Sequence, residues 1–309
     1  MLRKKSWEWR IRELKIAFKC LVGFYSNPYL KELNPFFSDR VRYFLGTLRI
    51  LLPLPGRYTK WWGLNFTYGL RYIKTSNERT YIIKKGLKYV VPYELYKQFF
   101  KILRDAISYG KYQTFPVIVN KGDVVIDCGA HIGIFSLLFA KLAGKNGKVV
   151  AIEPEERNYK ALEKMTKLNK DIASIIPLKI AVYKENCWLD LYIAKDPSCH
   201  TITPYYDERK KYLLGKKEKV KALKIDTIVE ELGLEKVDFI KMDIEGAEID
   251  ALLGAEQTIK RFKPKLAICT YHRPTDSEEI KKIILSYNSD YKLKEIDQGE
   301  KILYAWNEK

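Results

Sequence analysis

The sequence contains no apolar run long enough to cross a membrane as a helix. Its longest, Tyr43 to Leu54, is interrupted by Arg49 and Pro53 and falls short of the roughly 20 residues that a spanning helix needs. The N-terminus is basic, but the charge continues through positions 10–19, where a secretory signal would have its apolar core. We therefore expect no signal peptide.

Cysteine and histidine are scarce, with five and three residues among 309. The cysteines are odd in number and form neither a C-x-x-C pair nor a zinc spacing, which argues against a disulfide scaffold and a zinc module. This usage favours a reducing, cytoplasmic location. It also restricts a histidine general base to His131, His200 or His272.

Acidic residues are few in the first third of the chain. Residues 1–110 hold 22 Lys and Arg against 7 Asp and Glu, whereas residues 111–309 hold 34 against 31. The step at about residue 110 predicts a basic, aromatic-rich N-terminal extension, 1–110, followed by a second domain, 111–309. Within the extension, the pattern predicts helices, a β-hairpin in 65–91 and a helix over 93–108.

Apolar residues recur at helical spacing near the N-terminus: Trp7, Ile11, Leu14, Phe18, Leu21 and Tyr25. Basic residues mostly avoid that stripe, so we expect an amphipathic basic helix. Such a helix either packs on the catalytic domain or docks on an anionic membrane surface. Both interpretations remain open, and the second places residues 1–60 at the inner face of the membrane.

The most informative segment is VVIDCGAHIGIFS, residues 124–136. It indicates a buried strand that ends in Asp127, a turn containing Gly129 and Gly133, and the start of a helix. In such a turn, glycine removes the Cβ atoms that would block a ligand from the backbone. A second strand ends about twenty residues later in Glu153, where a carboxylate can accept the hydroxyls of a ribose.

The spacing of this turn argues against a dinucleotide. The middle glycine of G-x-G-x-x-G is missing, and Asp127 would repel a diphosphate. An acid there suits a cationic or zwitterionic ligand such as S-adenosylmethionine, and the pattern resembles motif I of class I methyltransferases. A nicotinamide oxidoreductase is accordingly the least favoured interpretation.

Strand and helix patterns alternate after residue 124, which predicts an α/β, Rossmann-like sheet. We expect it to be mostly parallel, with an antiparallel pair of last strands at 291–295 and 302–306. The other predicted strands cover 124–127, 149–153, 175–182, 239–243 and 266–271. One helix is predicted over 248–262, and strands over 188–193 and 219–225 are predicted to form a short β insertion.

Several sequence blocks stand in an order that resembles the FkbM family of S-adenosylmethionine-dependent methyltransferases. They are DCGAHIG, AIEP, IIPLKIAV and KMDIEGAE, with L-x-G-A after the last. The resemblance covers about residues 115–296. It implies methyl transfer to a hydroxyl oxygen, often on a sugar or natural product.

Ligands of open α/β sheets lie beyond the carboxyl ends of the strands. We therefore assign the methionine part of the cofactor to Asp127 and the turn residues Gly129, Ala130, His131 and Gly133. Glu153 would hold the ribose, and Ala181 and Val182 the adenine. For catalysis we select Asp243, Glu245 and His272.

His272 is the preferred base for the acceptor hydroxyl. His200 is a second candidate, and His131 is expected to cap the turn. Asp243 could instead cap a helix, and Lys241 could pair with a carboxylate. A divalent metal on Asp243 and Glu245 could replace a protein base, although the sequence does not require one.

Two alternatives to a glycan or other polyhydroxylated acceptor stay open. The positive charge suits RNA, and ribose 2′-O-methylation is compatible with the motifs. Methylation of base amines or of cytosine carbon is disfavoured, because the Asn/Asp-Pro-Pro-aromatic and Pro-Cys motifs are missing. A non-catalytic, membrane-associated scaffold is the other alternative, and the intact glycine turn argues against it.

The charge of residues 1–110 predicts reversible binding to anionic membranes that bear a lipid-linked glycan. Each Lys or Arg near such a surface contributes about 1 kcal/mol. The full chain should sediment with anionic liposomes at low salt, and less so at high salt or with neutral lipids. Equal partitioning to both lipids, or none to either, would contradict the prediction, and displacement by RNA that is itself methylated would favour the RNA alternative.

Overall fold

The computed structural model describes residues 71–74, 78–82, 87–108, 111–172, 174–203, 213–297 and 300–308. The predicted amphipathic helix, and residues 1–60 with their expected membrane contact, lie outside the described residues. The chain divides into two compact units, Met1–Lys111 and Tyr112–Lys309. Among the helices that the structure does describe, none is both long and apolar enough to traverse a bilayer.

The described part of the first unit is a small antiparallel sheet followed by a helix. Its strands are β1 (Arg71–Lys74), β2 (Glu78–Ile82) and β3 (Lys88–Pro92), paired in that order. A 3-10 turn, Tyr93–Leu95, leads into α1 (Tyr96–Ser108). The predicted hairpin thus gains a third strand. Phe99 of α1 is fully buried and stacks on Tyr81 of β2 with ring centroids 4.9 Å apart, so the helix packs against the sheet.

The second unit is built on a seven-stranded sheet. In chain order, its strands are β4 (Val124–Cys128), β5 (Lys148–Ile152), β6 (Ser174–Leu178), β10 (Phe239–Met242), β11 (Lys265–Cys269), β12 (Lys292–Asp297) and β13 (Lys301–Trp306), and they lie side by side in the order β12-β13-β11-β10-β4-β5-β6. The first five in chain order pair in parallel, and β13 pairs antiparallel with both β11 and β12. The predicted α/β sheet with antiparallel last strands is confirmed.

Helices cover the sheet: α2 (Ile134–Ala143), α3 (Glu156–Leu168), α4 (Ile225–Glu231), α5 (Glu248–Leu253), α6 (Glu256–Phe262) and α7 (Asp276–Tyr287). Successive strand residues point to opposite faces. Ile126 and Ile240 therefore share a core with α4 to α7, whereas the neighbouring Phe239 meets Phe139 of α2 at 5.6 Å between ring centroids.

Two elements differ from the sequence prediction. The predicted strand 175–182 breaks after Leu178, and Ala181–Val182 forms β7 of a separate sheet with β9 (Leu213–Leu223) and β8 (Cys187–Ala194). The predicted helix 248–262 is two helices. A Cβ on Gly254 would lie 2.2 Å from the Tyr183 carbonyl oxygen, and Asp226 of α4 accepts the backbone N–H groups of Gln257 and Thr258 in the first turn of α6.

The central strand β10 should be a main source of stability. Ile240 is fully buried in the core of the sheet, so Ile240→Ala should lower the free energy of unfolding by about 2–5 kcal/mol. Leu214→Ala is the control, because Leu214 is 47% exposed. Urea denaturation measures both. An equal, small effect of the two substitutions would contradict the assignment of this core.

Candidate active site

A cavity lies where β4, β5 and β10 end, as expected for an open α/β sheet. It contains about 570 Å³ of space not filled by protein atoms, part of it open to solvent. Seven of the selected residues line it: Gly129, His131, Glu153, Ala181, Val182, Asp243 and Glu245. The other four are not among the residues that line it: Asp127, Ala130, Gly133 and His272.

Asp127 and Lys241 form a buried ion pair beneath the cavity. They are cross-strand partners on β4 and β10, with 3.0 Å between Lys241 Nζ and Asp127 Oδ1. Lys241 also donates to the carbonyl oxygens of Cys128 and Gly129, at 3.0 and 2.7 Å, and Ser136 of α2 donates to Asp127. Asp127 is therefore engaged with the protein, and its contact with the methionine part of a cofactor stays a prediction. Burial alone would lower the pKa of Lys241, but Asp127 and Asp243 outweigh it and raise the pKa.

The glycines of the turn make room for protein atoms more than for a ligand. Gly129 and Gly133 both have positive φ, 77° and 85°. A Cβ on Gly129 would lie 2.0 Å from the Asp243 carbonyl oxygen, and one on Gly133 would lie 2.2 Å from Met165 of α3. The first glycine therefore lets β4 and β10 approach where they end, and the second lets α3 pack against the turn.

Glu153 ties the end of β5 to the turn. Its carboxylate accepts the backbone N–H of His131 at 2.9 Å and that of Glu155 at 3.1 Å. Because an ionised carboxylate offers about four acceptor positions, it can accept further hydrogen bonds from the cavity. Burial raises the pKa of Glu153 to about 7, with the two backbone hydrogen bonds opposing that rise.

Several buried polar atoms face the cavity. Both ring nitrogens of His131, Nε2 of His200 and Oδ1 of Asn158 have no hydrogen-bond partner among the described residues. Burial lowers the pKa of His131 to about 4, so its ring is neutral at physiological pH. Because buried polar atoms are normally bonded, this wall is suited to a polar ligand. The structure gives His131 no cap on the helix, since neither ring nitrogen contacts a backbone N–H.

The segment 197–202, which follows β8, forms one wall of the cavity. Pro197, Ser198, His200 and Ile202 line it. Asn158 of α3 donates to the Pro197 carbonyl at 3.0 Å, and the Ala194 N–H donates to His200 Nδ1 at 3.0 Å. With Nδ1 as acceptor, His200 carries its proton on Nε2, so it enters the cavity as a donor.

Asp243 is held by two tyrosines at the edge of the cavity. The Tyr112 hydroxyl donates to its Oδ2, and the Tyr271 hydroxyl donates to its Oδ1 at 3.3 Å. Burial, followed by the Asp243 charge, raises the pKa of both tyrosines. They therefore remain protonated donors, and they fix the orientation of the carboxylate.

His272, the preferred base, lies behind Asp243 and Glu245. Its Nδ1 is 2.8 Å from Glu248 Oε1, and its Nε2 is 3.6 Å from an oxygen of each of the other two acids. Burial lowers the pKa of His272, but Glu248 and then Glu245 and Asp243 outweigh it and raise the pKa to about 9. A ring that holds its proton at neutral pH is a poor general base.

Sequence reasoning missed Tyr112, Asn158 and the partner role of Glu248. Tyr112 is 131 residues from Asp243, outside every motif, so no sequence signal marks it. Glu248 is visible in the KMDIEGAE block, but its position suggested the first turn of a helix. In fact it accepts the N–H groups of Ile244 and Gly246 and holds His272.

Removing one partner of the buried pair should strongly destabilise the domain. Lys241→Met leaves Asp127 as an uncompensated buried charge, which typically costs about 3–5 kcal/mol. Lys219→Met is the control, because Lys219 pairs with Asp190 on the surface, and it should cause no measurable loss. Adding Asp127→Leu to Lys241→Met should recover part of the stability. A Lys241→Met chain as stable as the control in urea would contradict the assignment.

Comparison with known proteins gives the family. The model described as the methyltransferase FkbM domain matches residues 127–293. Methyltransferase sdnD of Sordaria araneosa is 27% identical over 158 residues, covering 43% of this chain and 60% of its own. The antimetabolite synthetase AmbE of Pseudomonas aeruginosa is 26% identical over 178 residues, 47% of this chain and 8% of its own. The chain therefore spans less than two thirds of either relative.

A solved structure of methyltransferase FkbM from Methylobacillus flagellatus is also similar. It has 25% identity and a TM-score of 0.47, over 63% of this chain and 47% of that one. The assignment rests on the family model, which matches more than half of the 309 residues. The resemblance seen in the sequence is confirmed, and the chain belongs to the FkbM methyltransferase family.

Proposed function

We propose that the chain transfers a methyl group from S-adenosylmethionine to a hydroxyl oxygen of a glycan or other polyhydroxylated small molecule. One observation carries the proposal: a single cavity has the carboxylate of Glu153 and the carboxylate of Asp243 in its lining. The first suits a ribose, and the second lies at the end of the neighbouring strand, where a reacting group would be held.

The lining fits the cofactor. Ile180, Ala181, Val182 and Leu191 form an apolar patch for an adenine, and Glu153 can accept both ribose hydroxyls. The buried polar atoms of His131, His200 and Asn158 supply hydrogen bonds to the polar groups of the ligand. S-adenosylmethionine, when bound, supplies a methyl carbon already activated by sulfonium.

The chain's own task is to align and deprotonate the acceptor. In the transfer, the acceptor oxygen bonds to the methyl carbon as the carbon–sulfur bond breaks, and S-adenosylhomocysteine is released. Asp243, oriented by Tyr112 and Tyr271, accepts the hydrogen bond of the hydroxyl and takes its proton. Alignment contributes much of the rate enhancement in such a displacement. His272 then acts as a positioning residue behind Asp243.

The acceptor and its location are part of the same proposal. The FkbM family membership supports a sugar or natural-product hydroxyl, and the basic extension supports a cytoplasmic enzyme that meets a lipid-linked glycan at an anionic membrane. Residues 1–60 would make that contact.

Binding of S-adenosylhomocysteine tests the cofactor directly. Calorimetry should show binding of this product and none of NAD. Glu153→Gln should weaken it by roughly 1–3 kcal/mol, the cost of a lost charge-assisted pair of hydrogen bonds. Glu163→Gln is the control, because Glu163 lies on the surface of α3 and pairs with Lys167, and it should have no effect on this affinity. Binding of NAD but not of the product would overturn the proposal.

The pH dependence gives a second readout. Because the pKa of Glu153 is raised to about 7, its carboxylate is present above that pH and is lost as the pH falls. Affinity for S-adenosylhomocysteine should therefore decline from pH 8 to pH 6 in the wild type. The decline should be absent in Glu153→Gln, and an equal decline in both would assign it to another group.

A further inference from the structure

The His272 imidazole is held as a metal ligand would be. Its side chain is fully buried, and the Glu248 carboxylate lies at hydrogen-bond distance from Nδ1. That contact directs Nε2 away from Glu248. Carboxylate partners of this kind fix the tautomer and orientation of ligating histidines.

Nε2 of His272 has no hydrogen-bond partner among the described residues, and it is aimed at two further carboxylates. It lies 3.6 Å from Asp243 Oδ1 and 3.6 Å from Glu245 Oε2. One ligand atom from each of the three residues falls within 4.8 Å of the others. A divalent cation bonded at about 2.0–2.2 Å keeps its ligand atoms roughly 3.0–3.5 Å apart, so a small contraction would suffice.

A strained backbone brings the second acid into place. Glu245 has a φ of 58° although it is not glycine. Its carbonyl oxygen accepts from Thr201 at 2.8 Å, and the next peptide is held by Glu248 through the Gly246 N–H. Such conformations persist where surrounding contacts enforce them, often at functional sites. Here the result is that both Asp243 and Glu245 line the cavity beside Nε2.

We infer that Asp243, Glu245 and Nε2 of His272 form a binding site for a divalent cation, which displaces the proton from Nε2 on binding, with Glu248 orienting the imidazole. Two carboxylates and one imidazole suit Mn²⁺ or a similar first-row ion better than a thiol-seeking metal. The role of the ion rests on the proposed function: it would lower the pKa of an acceptor hydroxyl, so that a carboxylate suffices to take the proton. In a second cluster, Glu248, His272 and Asp276, all three residues are buried and the two carboxylates accept backbone N–H groups, and we assign it no ion.

Binding of Mn²⁺ to the full chain tests the inference without an acceptor. Electron paramagnetic resonance should show loss of the free Mn²⁺ signal on adding wild-type protein. Glu245→Gln should weaken this binding about 10-fold or more, and Glu248→Gln about 10- to 100-fold, as for other orienting partners. Asp250→Asn is the matched control, since Asp250 lies nearby but pairs with Lys184, and it should bind Mn²⁺ as the wild type does.

Thermal unfolding and S-adenosylhomocysteine binding, measured on the same proteins, separate the outcomes. Glu245 is partly exposed, whereas Glu248 is fully buried, so Glu245→Gln should fold even if Glu248→Gln does not. No Mn²⁺ binding by wild type, or equal binding by Glu245→Gln and Asp250→Asn, overturns the cation site. If S-adenosylhomocysteine still binds in that case, the proposed function stands without the cation site. If Mn²⁺ binds and S-adenosylhomocysteine does not, the cation site stands and the proposed function fails.

Discussion

A lysine buried between parallel strands needs a carboxylate beside it, and the position of Asp127 determines much of the second unit. The pair joins β4 to β10, because Lys241 and Asp127 are partners in register. The same ammonium group binds the carbonyls of Cys128 and Gly129, so it also fixes the start of the glycine turn. A buried charge that has lost its partner lowers the stability of the fold. Because this pair contacts both the sheet and the turn, disruption of one should also disrupt the other.

The cavity follows from this junction. Gly129 sits against the Asp243 carbonyl, so the turn after β4 and the loop after β10 are in contact, and Glu153 binds the turn from the other side through the His131 N–H. Two carboxylates with different surroundings result. Glu153 is buried with a raised pKa, whereas Asp243 is held by tyrosine hydroxyls. One end suits neutral hydroxyl donors of a nucleoside, and the other suits a reacting hydroxyl.

The sequence was sufficient for the sheet, the turn and seven of the residues that line the cavity, because these depend on local periodicity and on where parallel strands end. The sequence was insufficient where a residue far away along the chain determines the local structure or the chemistry of a side chain. The helix break at Gly254 depends on Tyr183 and on Asp226, neither of which is local. Asp127 was expected to contact the cofactor, and the sequence did not show that it forms a buried ion pair with Lys241. His272 appeared suited to act as a base, but Glu248 changes its proton affinity, and Tyr112 reaches Asp243 only through the fold.

A crystal structure of the chain with S-adenosylhomocysteine tests the central claim most directly, namely that this cavity is the nucleoside site of the transferase. The ribose hydroxyls should lie within hydrogen-bond distance of the Glu153 carboxylate, the adenine against Ala181 and Val182, and the sulfur on the Asp243 side. Product bound elsewhere on the chain, or bound in the cavity with its ribose at Asp243, would contradict the assignment.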